Sequence, residues 1–308
     1  MFLVNPPLIA IMLALVPRLP AGLPAGAAAV PGGRPPSRRI DGRGATLITI
    51  SLAALIYGLS SGQQHGFGTA PVVITLVAAV VLMVAFVHTE RHIAAPMLPL
   101  SIFADAARRA AVAAMLMMGA ILAGYVYFIS LYLQKVQGYS PVETGLALLP
   151  STLTVVLTST FITRRLLARF AVKWVLLAGL AGMAAGQLWL GRISAGDSYL
   201  TGVLPGLILT ALGIGLGLPT ASVAITAGVR GRDQGLAGAL FTTSQQTGAA
   251  VGLAVLATAA AARTARTGSL VAGYRLSFLI GAGIAVLAAA VVTAQLRTRR
   301  AGPQPAAK

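Results

Sequence analysis

Long apolar blocks separated by short polar gaps run the length of this chain. A bilayer core of roughly 30 Å takes about 20 residues of α-helix. Blocks of that order cover residues 2–16, 45–59, 71–87, 110–133, 144–162, 174–190, 204–227, 236–261 and 274–296, the first two being short. The pattern predicts an all-α polytopic membrane protein with about nine transmembrane helices.

The gaps are not equivalent in charge. Arg18, Arg34, Arg38, Arg39 and Arg43 fall in the first, and Arg91, Arg108 and Arg109 in the third. Arg164, Arg165, Arg169 and Lys173 follow, then Arg230 and Arg232, then Arg297, Arg299, Arg300 and Lys308 in the tail. These are 18 of the 23 basic residues, and they occupy alternate gaps. The intervening gaps hold Lys135, Arg192, Arg263, Arg266 and Arg275. Cytoplasmic loops retain Lys and Arg, so the alternation places Met1 outside and Lys308 in the cytoplasm of a bacterial inner membrane.

Composition narrows the function classes. With 57% apolar and 9% charged residues, the chain is far from a soluble domain. The net charge of +17 lies in gaps between apolar runs, whereas nucleic-acid binders gather it on one face of a soluble scaffold; no nucleic-acid partner is expected. The chain has no cysteine, which excludes disulfides and thiolate metal sites. His65, His88 and His92 fall in gaps on opposite membrane sides, so no metal site is expected. A secretory signal carries positive charge before its apolar core, but none precedes Phe2. Residues 17–44 hold six prolines and six glycines and read as a flexible cytoplasmic linker. Met97, Leu98, Leu100, Ile102 and Phe103 suggest a short amphipathic element at the membrane surface.

Ionisable groups inside a membrane are expensive and usually functional. None of the six acids falls near mid-bilayer. Glu143, at the outer end of the fifth span, is the one coupling candidate, against a plain helix-start role. Small and neutral-polar residues form stripes instead: Gly206, Thr210, Gly213, Gly217 and Thr220 share a face in the seventh span, and Gly238, Thr242, Gln245, Ala249 and Gly252 in the eighth. Such stripes let helix backbones approach closely. Gly213 to Pro219 superficially resembles a phosphate loop but lacks the strand that a nucleotide fingerprint needs; Pro219 is expected to kink its helix during gating. Gln245 and Gln246 need partners if buried. Tyr127, Ser130 and Gln134 share one face of the fourth span, with Tyr125, Phe128 and Tyr132 roughly opposite. Ser151, Thr154 and Thr158 share a face of the fifth, where the hydroxyls could simply bond their own helix carbonyls.

At these residues the chain resembles the major facilitator superfamily, in its fourteen-helix drug/proton antiporter branch. Asn5-Pro6-Pro7 is similar to that branch's sixth helix, and Asp41-Gly-Arg-Gly44 to the entry of its seventh. Tyr132-Leu-Gln134, Gly138-Tyr-Ser-Pro141, Gly145 and Leu149-Pro150 resemble the connection from the ninth helix to the tenth, the most specific match. Thr163 to Phe170 resembles the basic loop after the tenth, with Arg164, Arg165 and Arg169. Gly235, Gly238, Gln246, Gly248 and Gly252 resemble the thirteenth. Thr242 and Gln245 stand where the family usually has Asn and Arg, and the acidic position of the basic loop is absent.

The resemblance implies an incomplete major facilitator fold: a residual sixth-type helix (1–16), the linker (17–44), an inserted helix pair with its cytoplasmic loop (45–109), a six-helix carboxyl-terminal bundle (110–296) and a tail (297–308). In that fold the substrate site lies at midplane between two halves. The implied function is multidrug-type efflux of small lipophilic or cationic substrates, driven by the proton gradient with no cofactor, in partnership with a missing or separate amino-terminal half. The fourth and seventh spans would line the cavity, flanked by the fifth and eighth, with Tyr127, Ser130, Gln134, Thr154, Thr158, Thr210, Gln245 and Gln246 as pathway candidates. Gly206, Gly213, Gly217, Pro219, Gly238, Gly248 and Gly252 would serve packing and gating. An exporter of an endogenous solute, a non-transporting membrane subunit and a decayed fragment stand as alternatives. No nucleophile–base pair or metal cluster suggests an enzyme.

Overall fold

The computed structural model describes residues 42–65, 69–92, 105–227 and 234–296. The expected first helix, most of the linker, the surface element at 97–103 and the tail lie outside them. Eight helices are present among the described residues: α1 Gly42–His65, α2 Ala70–His92, α3 Ala106–Lys135, α4 Pro141–Arg169, α5 Val172–Leu190, α6 Tyr199–Thr226, α7 Gln234–Thr267 and α8 Leu270–Gln295. Seven of these, α2 to α8, are long and apolar enough to cross a membrane. The expected span at 45–59, short in its apolar run, lies within α1. Helix α1 is 24 residues long but apolar only over Thr46–Leu55, because serines, glutamines and a histidine follow Leu59.

Helices α3 to α8 pack into one bundle with α3 near its centre, touching α4, α6, α7 and α8. Met115, Met118, Phe128, Ile129 and Tyr132 of α3 are fully buried. Helices α1 and α2 form a hairpin that meets the bundle through α1 and α7. Among the described residues of α2, Val72, Ala79 and Phe86 are the buried ones, one stripe at seven-residue spacing. Ser51 of α1 donates to the Ala79 carbonyl (2.9 Å). Val73, Ile74, Val77, Val80, Val81 and Val84 of α2 face outward, as suits a helix bathed in lipid.

Helix ends follow local chemistry. The stretch from Lys135 to Glu143 is a stop followed by a start. Gly138 takes φ +74°, which costs a glycine little, and Tyr139 N donates back to the Leu133 carbonyl (2.9 Å), folding the chain back over the helix end and satisfying a carbonyl of the last turn. Ser140 then caps α4, Pro141 fills its first turn, and Glu143 accepts a bond from Ser140 N (2.8 Å), completing a capping box. At the opposite face of the bundle cations meet helix carboxyl termini. Arg108 donates to the carbonyls of Ile225 (3.1 Å) and Ala227 (3.0 Å) at the end of α6, and Lys173 to that of Thr293 (2.9 Å) at the end of α8. Both satisfy carbonyls that a terminating helix leaves open.

Two glycine seams set the helix spacing. In the first, Gly206, Thr210, Gly213 and Gly217 of α6 lie against Gly179, Gly182 and Gly186 of α5, where a Cβ added to any of these three would meet backbone or the Thr210 side chain. In the second, Gly119 of α3 meets the Gln245 carbonyl of α7, Gly248 meets that of Leu116, and Gly252 meets Ala120. Gly238 has nothing within 4 Å of such a Cβ, so its expected packing role is corrected: it shares the stripe's phase but faces open space, while its neighbour Ala237 is the buried residue of that turn.

Pro219 sits inside an unbroken α6. Lacking an N–H, it leaves the Gly215 carbonyl without its helical donor. Thr163 of α4 supplies one, donating across the interface to Gly215 O (2.8 Å) from a fully buried position. It stands just past a five-residue π segment, Thr158–Ile162.

Candidate substrate groove

Between α3 and α7 the bundle opens into a groove of about 470 Å³, lined by Gly119, Leu122, Ala123, Val126, Tyr127 and Ser130 on one wall and Gln245, Gln246 and Ala249 on the other. The α3 residues follow helical steps of three and four, so one face supplies them. The glycine seam forms the floor: with Gly119 against the Gln245 backbone and Gly248 against that of Leu116, larger side chains on either flank diverge. Most of the lining is apolar, and its polar groups are a phenol, a hydroxyl and two amides. That composition suits amphipathic small molecules held by burial and oriented by a few hydrogen bonds. No carboxylate lines it. A cation would meet the Tyr127 ring, 41% exposed, and such a contact contributes on the order of 0.5–2 kcal/mol. The ring is held edge-on to Phe128 at 5.1 Å, which packs on Phe278 at 6.4 Å.

Tyr127 also borders a second hollow of about 390 Å³ beside Tyr274. Gln246 also borders a third of about 160 Å³, between Leu52 and Leu55 of α1 and Thr242 and Thr243 of α7. The three hollows follow one another along α7.

Of the eight pathway candidates, the structure brings Tyr127, Ser130, Gln245 and Gln246 together in the groove. Gln134 is exposed on α3 beyond Ser130 and does not line it. Thr154 bonds the Pro150 carbonyl of its own helix (2.7 Å). Thr158 and Thr210 require correction. Thr158 is 1% exposed and packs on Gly215, and Thr210 is fully buried against Gly186. Both belong to helix interfaces, because the small residues sharing their faces draw a neighbouring backbone in where a cavity would be. The wall opposite α3 is therefore α7, not the seventh span, α6. Glu143 is exposed in its capping box. Arg164, Arg165 and Arg169 lie in the last turns of α4, Arg164 and Arg169 exposed and Arg165 likewise. Sequence reasoning missed Leu122 and Val126, whose signal is only their spacing from Tyr127; it does place Ala249 on one face with Gln245. It also missed Gln187, 2% exposed beside Gly281 of α8.

Seven apolar membrane-length helices, glycine-tight seams and an amphipathic groove define a polytopic membrane protein of transporter type. No family model matches the chain. It is 33% identical to the cephamycin export protein CmcT of Amycolatopsis lactamdurans over 94% of its length and 59% of that protein's. It is 35% identical to the puromycin resistance protein pur8 of Streptomyces alboniger, over 74% of the chain and 45% of that protein. Similarity extends to the MFS-type transporter EfpA of Mycobacterium tuberculosis, 26% identical over 73% of the chain and 43% of that protein. The chain spans about half the length of these relatives. It belongs to the major facilitator superfamily, among relatives that are drug and antibiotic exporters.

Proposed function

We propose that this chain forms the carboxyl-terminal wall of an exporter that moves small lipophilic or cationic molecules out of a bacterial cell in exchange for protons. The observation that carries the reading is the α3–α7 groove, whose apolar walls and four neutral polar side chains match an amphipathic drug. The names of the relatives, which specify cephamycin export and puromycin resistance, support the substrate class. The face bearing Arg164, Arg165 and Arg169 is the cytoplasmic one in this reading, and the Lys135 end faces outward. The groove is open on the side away from α3 and α7, and an amino-terminal half would close it, so that rocking of the halves alternates access.

Expressed alone, the chain is expected to leave ethidium efflux from cells unchanged; co-expressed with an amino-terminal half from the same family, it is expected to restore efflux that a protonophore abolishes. Efflux by the lone chain would refute the one-wall reading, and efflux insensitive to the protonophore would refute proton exchange. The lack of a carboxylate in the groove favours a second reading, export of a neutral or anionic endogenous solute. In that case Tyr127→Leu would leave transport of the solute intact while hydrogen-bond loss at Gln245 would not.

A further inference from the structure

Five basic residues depart from the charge alternation, and three of them meet at one place. Arg263 and Arg266 of α7 and Arg275 of α8 line a cavity of about 490 Å³ floored by Ala259, Ala262, Ala272, Leu276 and Leu279. It lies where α7 ends and α8 begins, at the bundle face opposite the Arg164 loop. Arg275 is anchored through Nε to the Gly191 carbonyl (3.0 Å), which also brings the α5 terminus and the adjacent Arg192 to this corner. Among the described residues, the guanidinium groups of Arg263 and Arg266 have no hydrogen-bond or ion-pair partner.

The described acids of this face do not neutralise them. Glu143 is held by Ser140 N (2.8 Å), and Asp197 by Ser194 N (2.7 Å). The amino terminus of α8, capped by Ser269, adds its own partial positive charge. Three arginines gathered without a carboxylate repel one another, and a bound anion would relieve that repulsion through charge-assisted bonds. The apolar floor specifies the rest of the ligand. Arg263 and Arg275 each lie about one helical turn inside their helix ends, the depth at which a bilayer places its headgroups.

We propose that this cavity binds an anionic phospholipid, its phosphate between Arg263, Arg266 and Arg275 and an acyl chain along Leu276 and Leu279. The site is separate from the α3–α7 groove and does not depend on the transport reading. Its outward-leaflet placement does rest on the proposed orientation.

The test is thermal stabilisation of the purified 308-residue chain in neutral detergent, titrated with phosphatidylglycerol, phosphatidylcholine or glycerol phosphate. The wild-type chain is expected to be stabilised by phosphatidylglycerol well below the concentration at which phosphatidylcholine acts. Loss of two headgroup-depth arginines in Arg263→Gln/Arg266→Gln is expected to weaken that response roughly ten- to thirtyfold. Arg263→Lys/Arg266→Lys should retain most of it, and Arg164→Gln/Arg165→Gln, on the opposite face, all of it. The Gln pair spares Arg275, whose bond to Gly191 holds α5 and α8 together, and equal melting of lipid-free wild type and variant confirms that the fold is intact. Equal responses to the two lipids, or an undiminished phosphatidylglycerol response in the Gln pair, would overturn the proposal. Stabilisation by glycerol phosphate at the lipid's concentration would overturn the lipid assignment in favour of a free anion.

Discussion

Alanine in place of Gly248 and of Gly238 should move stability in opposite directions, although both glycines lie on α7 in the same glycine pattern. Helix propensity alone favours alanine by about 1 kcal/mol at either position. At Gly238 nothing lies within 4 Å of the new methyl, so that gain stands. At Gly248 the methyl would overlap the carbonyl and Cα of Leu116 on α3. Those are backbone atoms and cannot rotate aside, so the helices must separate. Overpacking a core by a methyl costs roughly 1–3 kcal/mol, and a backbone neighbour places this site towards the top of that range. The net expectation is a loss of about 1–2 kcal/mol for Gly248→Ala and a gain of up to about 1 kcal/mol for Gly238→Ala. Denaturation of the purified chain in detergent, followed by helical circular dichroism against sodium dodecyl sulfate, measures both. A Gly248→Ala chain as stable as Gly238→Ala would refute the close α3–α7 approach, and with it the shape of the groove.

Three further outcomes are expected. Thr163→Val removes the donor to the Gly215 carbonyl and should cost about 1–3 kcal/mol; in a Pro219→Ala background, where the restored backbone N–H can serve that carbonyl, the loss should shrink, and a double-mutant cycle with no coupling would contradict the assignment. Glu143→Ala should lower stability by about 0.5–2 kcal/mol through the capping box while leaving proton-driven efflux of the assembled exporter intact; loss of coupling with unchanged stability would instead identify Glu143 as the coupling acid. A cysteine at Gly196 should react with an impermeant maleimide in intact cells and one at Gly235 only after permeabilisation; the reverse would invert the proposed orientation.

The helices were legible in the chain because apolar run length and bilayer thickness constrain each other. Their ends were less so: α7 continues to Thr267 and α1 to His65, since backbone bonds carry a helix past the last apolar residue. Periodicity placed Gly206, Thr210, Gly213 and Gly217 on one face, and that face is real, but period says nothing about which neighbour a face meets. The partners on α5, Gly179, Gly182 and Gly186, carry an equally clear stripe that has no meaning until the two helices are set side by side. The same limit separates Tyr127 and Ser130, which meet Gln245 and Gln246, from Thr158 and Thr210, which meet glycine backbones. The link from Thr163 to Gly215 has no signal in spacing; only the missing N–H of Pro219 hints that a donor is needed.

The chain contains no cysteine, so single cysteines can be read without background. In the exporter assembled with an amino-terminal half, thiol labelling at Ser130→Cys, Gln245→Cys and Thr210→Cys, with and without saturating ethidium, addresses the groove directly. The expected result is labelling at Ser130→Cys and Gln245→Cys that ethidium suppresses, with Thr210→Cys inert throughout. Labelling of Thr210→Cys that ethidium blocks, with no protection at the other two, would contradict a substrate wall built from α3 and α7.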